Sequence, residues 1–412
     1  MEEFGHLGDE IKQLSLEDSQ ANFVCTVSDP EKKVDGMIEY ISEYIQYKVT
    51  TEQNTAGKMN QSCVFRRFSD FVWLHTQLAN KCKGCLIPPL PEKNYMGRFV
   101  GEVINERIRG LNTFLNRIGV HPILSLHADV DKFLNASDAD MAIAVKGEPT
   151  QQVQAGLMSF WKSSVQIVSS AIGVVKDREK TPEDIACDQV NNYASSLETA
   201  FNAVHANAAN LVAKDKDLAK NWFEFGLACT LLGQYEKNQQ EEALGQMFSN
   251  LGNTADHLSV ILTQKTDKEN VEFREQLKDY IRITGAVKAM MKTRQAALDS
   301  YQSSLATLEA RQSKCNTLSG DKLKAAEKAV IEAQEQLDSD SKALEEITKI
   351  ALEEANRFKE EKQVDLKRIV VSFVKLQIEH SQKVQQLWEG MLPSLQQQQK
   401  QESNGIDETA LH

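Results

Sequence analysis

Arg66-Arg67-Phe68, at the end of a β-branched run and directly ahead of Ser69-Asp70-Phe71, brings together the parts of an anion site. A guanidinium can grip phosphate oxygens through two parallel hydrogen bonds. A helix start just after it adds partial positive charge and free N–H groups. The aromatic ring alongside offers a flat face to a sugar or inositol ring. Lys93, past Pro88-Pro89-Leu90-Pro91, and Arg107 and Arg109 on the next helical stretch could add further cations. The competing reading is solvated surface charge, the usual fate of Lys and Arg. No Gly-x-Ser-x-Gly elbow, Walker loop or paired-histidine metal motif occurs, so neither an enzyme nor a cofactor is expected. Cys82-Lys83-Gly84-Cys85 is a CxxC, but a zinc site needs a second ligand pair, and none follows at a suitable spacing. These two cysteines read as ordinary thiols. His121 and His127 read as isolated structural residues.

The elements that must hold the arginines follow from residue type. Asn22 to Ser28, Tyr40 to Thr50 and Ser62 to Phe68 are rich in β-branched and aromatic residues, which predicts a short antiparallel sheet. Ser69 to about Asn80 predicts a helix with Phe71, Leu74 and Leu78 on one face. Further helices are predicted over about Gly101 to Ile118 and Leu124 to Leu134.

The remainder has a different character. None of the eight prolines lies between Glu183 and Leu392, and the stretch is rich in Ala, Glu, Lys, Gln and Leu, so it reads as all-helical. Val190, Leu197, Val204, Leu211, Leu218, Phe225 and Leu232 recur every seven residues. Leu277, Met291, Leu298 and Leu305 interleave with Tyr280, Val287, Tyr301 and Leu308, with Thr284 and Arg294 as exceptions, and a third series starts at Leu323. Such heptads predict long helices wound around one another. With Thr181-Pro182-Glu183-Asp184 as a start and turns at Gly233 to Asn238 and Leu318 to Asp321, three helices of roughly 50 to 75 residues result, or about 75–110 Å each. They fold back as an antiparallel bundle whose length leaves apolar surface for a second copy. A plain coiled-coil tether is the rival reading. Between the two parts, Val153, Leu157, Phe160, Trp161, Val165, Val168 and Ile172 recur at steps of three or four. A helix of this kind can lie among lipid headgroups or pack onto the bundle.

Charge sharpens the picture. The 412 residues carry a net charge of −12, which argues against nucleic acid as a partner. No apolar run is long enough to span a membrane, the first ten residues are acidic and unlike a signal peptide, and the seven scattered cysteines suit reduced thiols in cytosol. Residues 1–20 hold six Asp/Glu against one Lys. Residues 21–136 hold fourteen Lys/Arg against twelve Asp/Glu, and the remainder holds thirty-two against forty-one. The only net-positive segment is the one with the anion motif.

Arg66 to Phe71, Pro88-Pro89-Leu90-Pro91-Glu92-Lys93 and the Arg107 helix, with Asp29-Pro30-Glu31-Lys32 and His121-Pro122, resemble the phox-homology (PX) domain of the sorting nexins. The long helices resemble a BAR domain. Leu277 to Arg282, Arg357 to Lys362, and Leu387-Trp388 before Leu392-Pro393 look like the retromer-associated, sorting nexin 1-like branch. The resemblance covers about residues 21–393. It implies an α+β PX domain, a small antiparallel sheet plus helices, followed by an all-α BAR domain of three long antiparallel coiled-coil helices. The expected divisions are an acidic disordered tail (1–20), a PX domain (21–136), a linker (137–180) with an amphipathic helix over about 151–173, a BAR domain (181–393) and a Gln-rich tail (394–412).

Carried over residue by residue, the resemblance assigns Arg67 to the 3-phosphate of phosphatidylinositol 3-phosphate and Phe68 to stacking on the inositol ring. Lys93 would reach the 1-phosphate and Arg107 the ring hydroxyls. The family more often carries Tyr at the Phe68 position, and stacking survives that change. Tyr95, Met96 and Phe99 would enter lipid from a loop, unless they pack beneath it, and Phe160 and Trp161 would enter from the linker helix. Lys288, Lys292, Arg294, Lys314, Lys322, Lys324 and Lys328 are candidates for a basic BAR surface. The implied function is a peripheral scaffold on the cytosolic face of early endosomes that binds 3-phosphoinositide and senses or induces curvature. It would act as a homodimer, or as a heterodimer with another sorting nexin, and support retromer-type endosome-to-Golgi transport with the retromer trimer. The alternative is a coiled-coil tether or adaptor whose front domain binds protein rather than lipid.

Overall fold

Phe23, Cys25 and Val27 alternate with outward-facing residues, as do Ile45, Tyr47 and Val49, so one sheet face is buried and the other open. The computed structural model describes residues 21–37, 40–55, 58–92, 101–147, 179–319 and 321–409. Strands β1 (Val24–Met37), β2 (Tyr40–Thr55) and β3 (Lys58–Arg67) form an antiparallel sheet in the order β1-β2-β3. Val27 pairs with Val49, and Gln46 with Arg67. The β1–β2 pairing runs on to Met37↔Tyr40, past an irregularity between Ser28 and Glu31 where Asp29 takes φ 44°. On β1 this extension is largely polar, Glu31-Lys32-Lys33-Val34-Asp35-Gly36-Met37, with Lys32 2.8 Å from Glu43. For that reason the residue pattern predicts a β1 that stops at Ser28, while β2 starts at Tyr40 as predicted and runs past Thr50 to Thr55.

Helices α1 (Phe68–Lys81), α2 (Gly101–Val120), α3 (Ala128–Asn135) and α4 (Asp138–Gly147), with a 3-10 turn at Leu124–Leu126, cover the buried face. Phe71 meets Phe133 edge-on at 5.0 Å between ring centres and Phe114 at 6.4 Å, and Leu74, Leu78, Leu115, Ile118 and Met141 fill the space around them. The β1 edge is closed by two asparagines of α2. Asn116 accepts from the Cys25 N–H (2.8 Å) and donates to its carbonyl (2.9 Å); Asn112 does the same for Val27 (2.8 and 3.0 Å). Over Cys25 to Val27 these bonds occupy the groups that another strand would need.

The long helices are α5 (Pro182–Asn238), α6 (Glu242–Glu269), α7 (Glu275–Cys315) and α8 (Asp321–Thr409), with a π-helical segment at Asn270–Arg274 between α6 and α7. Thr181 caps α5 reciprocally with Asp184, 3.0 and 3.2 Å, as the sequence predicts. The first reversal comes later than predicted. Gly233 to Asn238 are helical, and the chain turns at residues 239–241, with Gln240 at φ 70°. α8 continues through Pro393 and the Gln396 to Gln399 run.

Two compact units emerge. One holds the residues through Glu198 together with Arg282–Lys359, and the other holds Thr199–Ile281 with the chain from Glu360 onward. In the second unit Phe201 packs on Tyr280, whose hydroxyl donates to Asp365 at 2.5 Å, and Phe273 packs on Phe373. Here one expectation is overturned. Val204, Leu211, Leu218, Phe225 and Leu232 are not the seam of the bundle but are exposed, Leu211 by 62%. The inward positions are Val212, Ala219, Gly226 and Gly233, also seven residues apart, and of these Gly226 backs onto Gly252 and Gly233 onto Gly245 of α6. Small residues let the two backbones approach, and the approach leaves the large ones outside.

Candidate functional site

Because side chains alternate across a strand, Arg66 and Arg67 leave β3 on opposite sides. Arg66 is fully buried. Its Nε donates to the Phe133 carbonyl (2.9 Å), Nη2 to the Ala136 carbonyl (2.6 Å), and Nη1 to the Phe65 carbonyl (2.8 Å) and Asp138 (3.3 Å). Two of these carbonyls belong to the last turn of α3, which has no helical donors left for them. Arg67 stays 30% exposed at its side chain and opens α1. Its backbone N–H donates to Asp70 Oδ2 (2.8 Å), its Nε lies 3.4 Å from Asp70 Oδ1, and its guanidinium sits 5.8 Å from the centre of the Tyr44 ring. Burial pushes the Asp70 carboxyl up, against the pull of Arg67.

Phe68 is the first residue of α1, and the Arg107 guanidinium lies 5.2 Å from its ring centre. Arg107 is buried beside Tyr47, whose hydroxyl is pushed up by burial while Arg107 draws it down. The fold therefore sets the Arg107 guanidinium over the Phe68 ring, while Arg67, next to Phe68 in the chain, stays partly exposed beside Tyr44. Tyr44 joins them and was not foreseen. Its signal lay in register: Gln46 opposes Arg67, so Tyr44 is the diagonal neighbour on the same face. Arg109 is half-buried on α2. Lys93, Tyr95, Met96 and Phe99 lie outside the described residues, as do Phe160, Trp161 and the predicted linker helix.

The proline run that leads toward Lys93 is buried from Ile87 to Pro91. Pro91 presses on Gly110 of α2, where an added Cβ would come within 2.7 Å of the proline, one helical turn from Arg107. At its other end the run meets α8. Glu354 accepts from the Leu86 N–H (3.1 Å) and from His121 Nε2 (3.1 Å), and pairs with Arg357. His121 thus does not stand alone, contrary to expectation: its Glu354 partner is 233 residues away in sequence and comes beside it only in the fold. His127 accepts from Asp129 N–H at the start of α3.

Cys85, His121 and Glu354 are metal-ligand types gathered within 4.8 Å. The donor set does not suit an ion. His121 Nδ1 accepts the Ile123 and Leu124 N–H groups (3.1 Å each), and its Nε2 is taken up by Glu354 and Arg357, so neither ring nitrogen is open to a metal. Arg357 already supplies the cation, and burial pushes the Cys85 thiol up to about 12. Burial also opposes ionisation of Glu354, yet the His121 hydrogen bond, the Arg357 charge and the Leu86 N–H together hold it below the usual carboxylate range.

Of the candidate basic residues, Arg294 is a correction. It is buried, paired with Asp184 and hydrogen-bonded to Thr348 (3.1 Å), so it faces the bundle interior. It occupies the heptad position of Tyr280, Val287, Tyr301 and Leu308, and Thr284, the other exception, is buried too. Position within the heptad outweighed residue type. Lys288 is half-buried against Glu198 (2.5 Å). Lys292, Lys314, Lys322, Lys324 and Lys328 are exposed, Lys328 lying 3.8 Å from Glu332.

Residues 54–137 match the PX domain family, and residues 162–394 match the family described as Vps5 C terminal like. The chain is 31% identical over 379 residues to sorting nexin 1 of Arabidopsis thaliana, covering 90% of this chain and 92% of that one. It is 29% identical over 402 residues to sorting nexin-1 of Mus musculus, covering 93% and 74%. The cryo-EM structure of the SNX-BAR Mvp1 tetramer matches with a TM-score of 0.65 over 89% of this chain and 99% of that one; at 18% identity this is a likeness of fold. A PX fold ending its sheet in Arg66-Arg67-Phe68, joined in one polypeptide to a Vps5-type array of long helices, makes the chain a PX–BAR sorting nexin, a membrane-trafficking adaptor and not an enzyme.

Proposed function

We propose that the chain binds phosphatidylinositol 3-phosphate through Arg67, Phe68 and Arg107, with Lys93 on the 1-phosphate, and acts as a dimer that senses or induces curvature. The observation that carries this reading is the pairing of a partly exposed Arg67 with a Phe68 ring backed by Arg107. A guanidinium for the phosphate and a ring for the inositol lie side by side, as one headgroup requires. Residues 21–136 serve as the lipid module and 181–393 as the BAR module. The linker helix over about 151–173 enters the headgroup plane, and the exposed lysines from Lys292 to Lys328 add weak attraction. The site of action is the cytosolic face of early endosomes, in retromer-type transport with the retromer trimer. No helix among the described residues is long and apolar enough to cross a membrane. Two headgroup sites on one dimer raise avidity over a single site by about 10²–10⁴.

Liposome flotation tests the pocket. Arg67→Ala is expected to lose binding to vesicles with 3-phosphoinositide while keeping the parent's circular dichroism. Flotation equal to the parent would refute the lipid reading and favour a protein-binding tether. The exposed apolar row on α5 tests the dimer. Leu211→Asp with Leu218→Asp is expected to give a monomer in light scattering and to weaken vesicle binding by about a hundredfold or more, the low end of the avidity range of about 10²–10⁴. A dimer of unchanged mass would place the interface elsewhere.

A further inference from the structure

We propose that Glu354, on the long helix α8, is a positioning residue of the headgroup site on the PX fold. This rests on the phosphoinositide reading of that site and adds a residue to it from outside the PX sequence. The run from Leu86 to Pro91 carries prolines at 88, 89 and 91, which have no N–H to fix it to a neighbouring strand or helix. Its anchors come from α8 instead. Gly84, at φ +92°, backs onto the Ile347 carbonyl so closely that an added Cβ would sit 2.9 Å from it. Seven residues on, two turns along the same helix face, Glu354 accepts the Leu86 N–H at 3.1 Å, with Ile350 packed between against the PX core.

From this clamp the buried run leads inward to α2. Ile87 to Pro91 are buried, Pro91 presses on Gly110, and Arg107, one turn before Gly110, lies over the Phe68 ring. His121 and Arg357 hold the Glu354 carboxylate in place from the PX side and the α8 side respectively. The aromatic shelf on which the inositol ring rests is therefore set by a carboxylate that the BAR module supplies.

Binding of soluble dibutanoyl phosphatidylinositol 3-phosphate to the full-length chain reads one site, free of curvature and avidity. Glu354→Ala is expected to weaken that binding about tenfold, near the worth of one charged hydrogen bond, and to speed deuterium exchange at the Leu86 amide. Glu354→Gln keeps a carbonyl for the Leu86 N–H and is expected to recover most of the affinity. Glu353→Ala, on the exposed side of α8, is the control and is expected to match the parent. If the alanine chain does not fold, Glu354→Asp decides, since it keeps the charge for Arg357 while drawing back from Leu86; it is expected to lose a measurable part of the affinity. Faster exchange at Leu86 with parental headgroup affinity, in either variant, would overturn the positioning role. A parent chain that fails to bind the soluble headgroup would instead overturn the phosphoinositide reading itself.

Discussion

Arg66→Ala is expected to unfold the PX domain, whereas its neighbour Arg67→Ala leaves the domain folded. The guanidinium of Arg66 has no exposed surface and spends its donors on three carbonyls and Asp138. Phe133 and Ala136 belong to the C-terminal turn of α3, where carbonyls lack helical partners and carry the negative end of the helix dipole. Removing the side chain strands those groups in the interior and opens a cavity beside Phe133, whose ring lies 5.5 Å from the guanidinium. Each buried carbonyl left without its donor costs about 1–3 kcal/mol, so two or three together take up much of the stability of a typical domain, about 5–15 kcal/mol. Lysine does not substitute, since one ammonium cannot reach acceptors spread around a planar fork. Denaturant unfolding, followed by near-ultraviolet circular dichroism, separates the two arginines. A midpoint for Arg66→Ala equal to the parent's would show that the buried network contributes nothing. On the proposed lipid reading both variants are expected to lose vesicle binding, but only Arg66→Ala by losing its fold.

The second large effect is expected at Gly252, where leucine should force α5 and α6 apart. A Cβ at this position would lie 2.3 Å from Thr230 Oγ1, 2.7 Å from the Gly226 carbonyl and 2.9 Å from the Thr230 nitrogen. Two of the three are backbone atoms, so no rotamer change relieves the overlap. In an exposed helix interior, replacing glycine by a better helix former gains about 1 kcal/mol. Here overpacking should reverse that sign and exceed it, with a loss of about 1–3 kcal/mol or more. Gly285 supplies the contrast, since nothing lies within 4 Å of its added Cβ, and Gly285→Ala is expected to raise the melting temperature. If Gly252→Leu also raised it, the close approach of the two helices would be refuted.

These cases show what residue pattern conveys and where it stops. The strand that ends at Arg67, the helix that follows it and the Thr181 cap depend on neighbours in sequence, and all three form where the pattern places them. The seven-residue period was also real, but it marked two faces of α5 at once. Reading the large residues as buried was natural and wrong in the second unit, because Ala219, Gly226 and Gly233 win the inner face by their smallness. Arg294 repeats the lesson from the other side: a charge at an inward heptad position stays inward if Asp184 and Thr348 receive it. Tyr44 was within reach of a register argument. Glu354 was not, because nothing near it in sequence speaks of Leu86 or His121.

Leu86 and Glu354 stand 268 residues apart along the chain. A ribosome adding about 5–20 residues per second takes about 13–50 s to cover that interval. The sheet, both arginines and the Phe71–Phe133 core are complete on the nascent chain long before α8 emerges. Throughout that time Gly84, Leu86 and His121 lack their α8 partners, and the proline run has no carboxylate to hold it. A newly made PX domain therefore waits for the far end of its own polypeptide before its lipid site is finished, and recruitment to membrane follows synthesis of the helices that shape it.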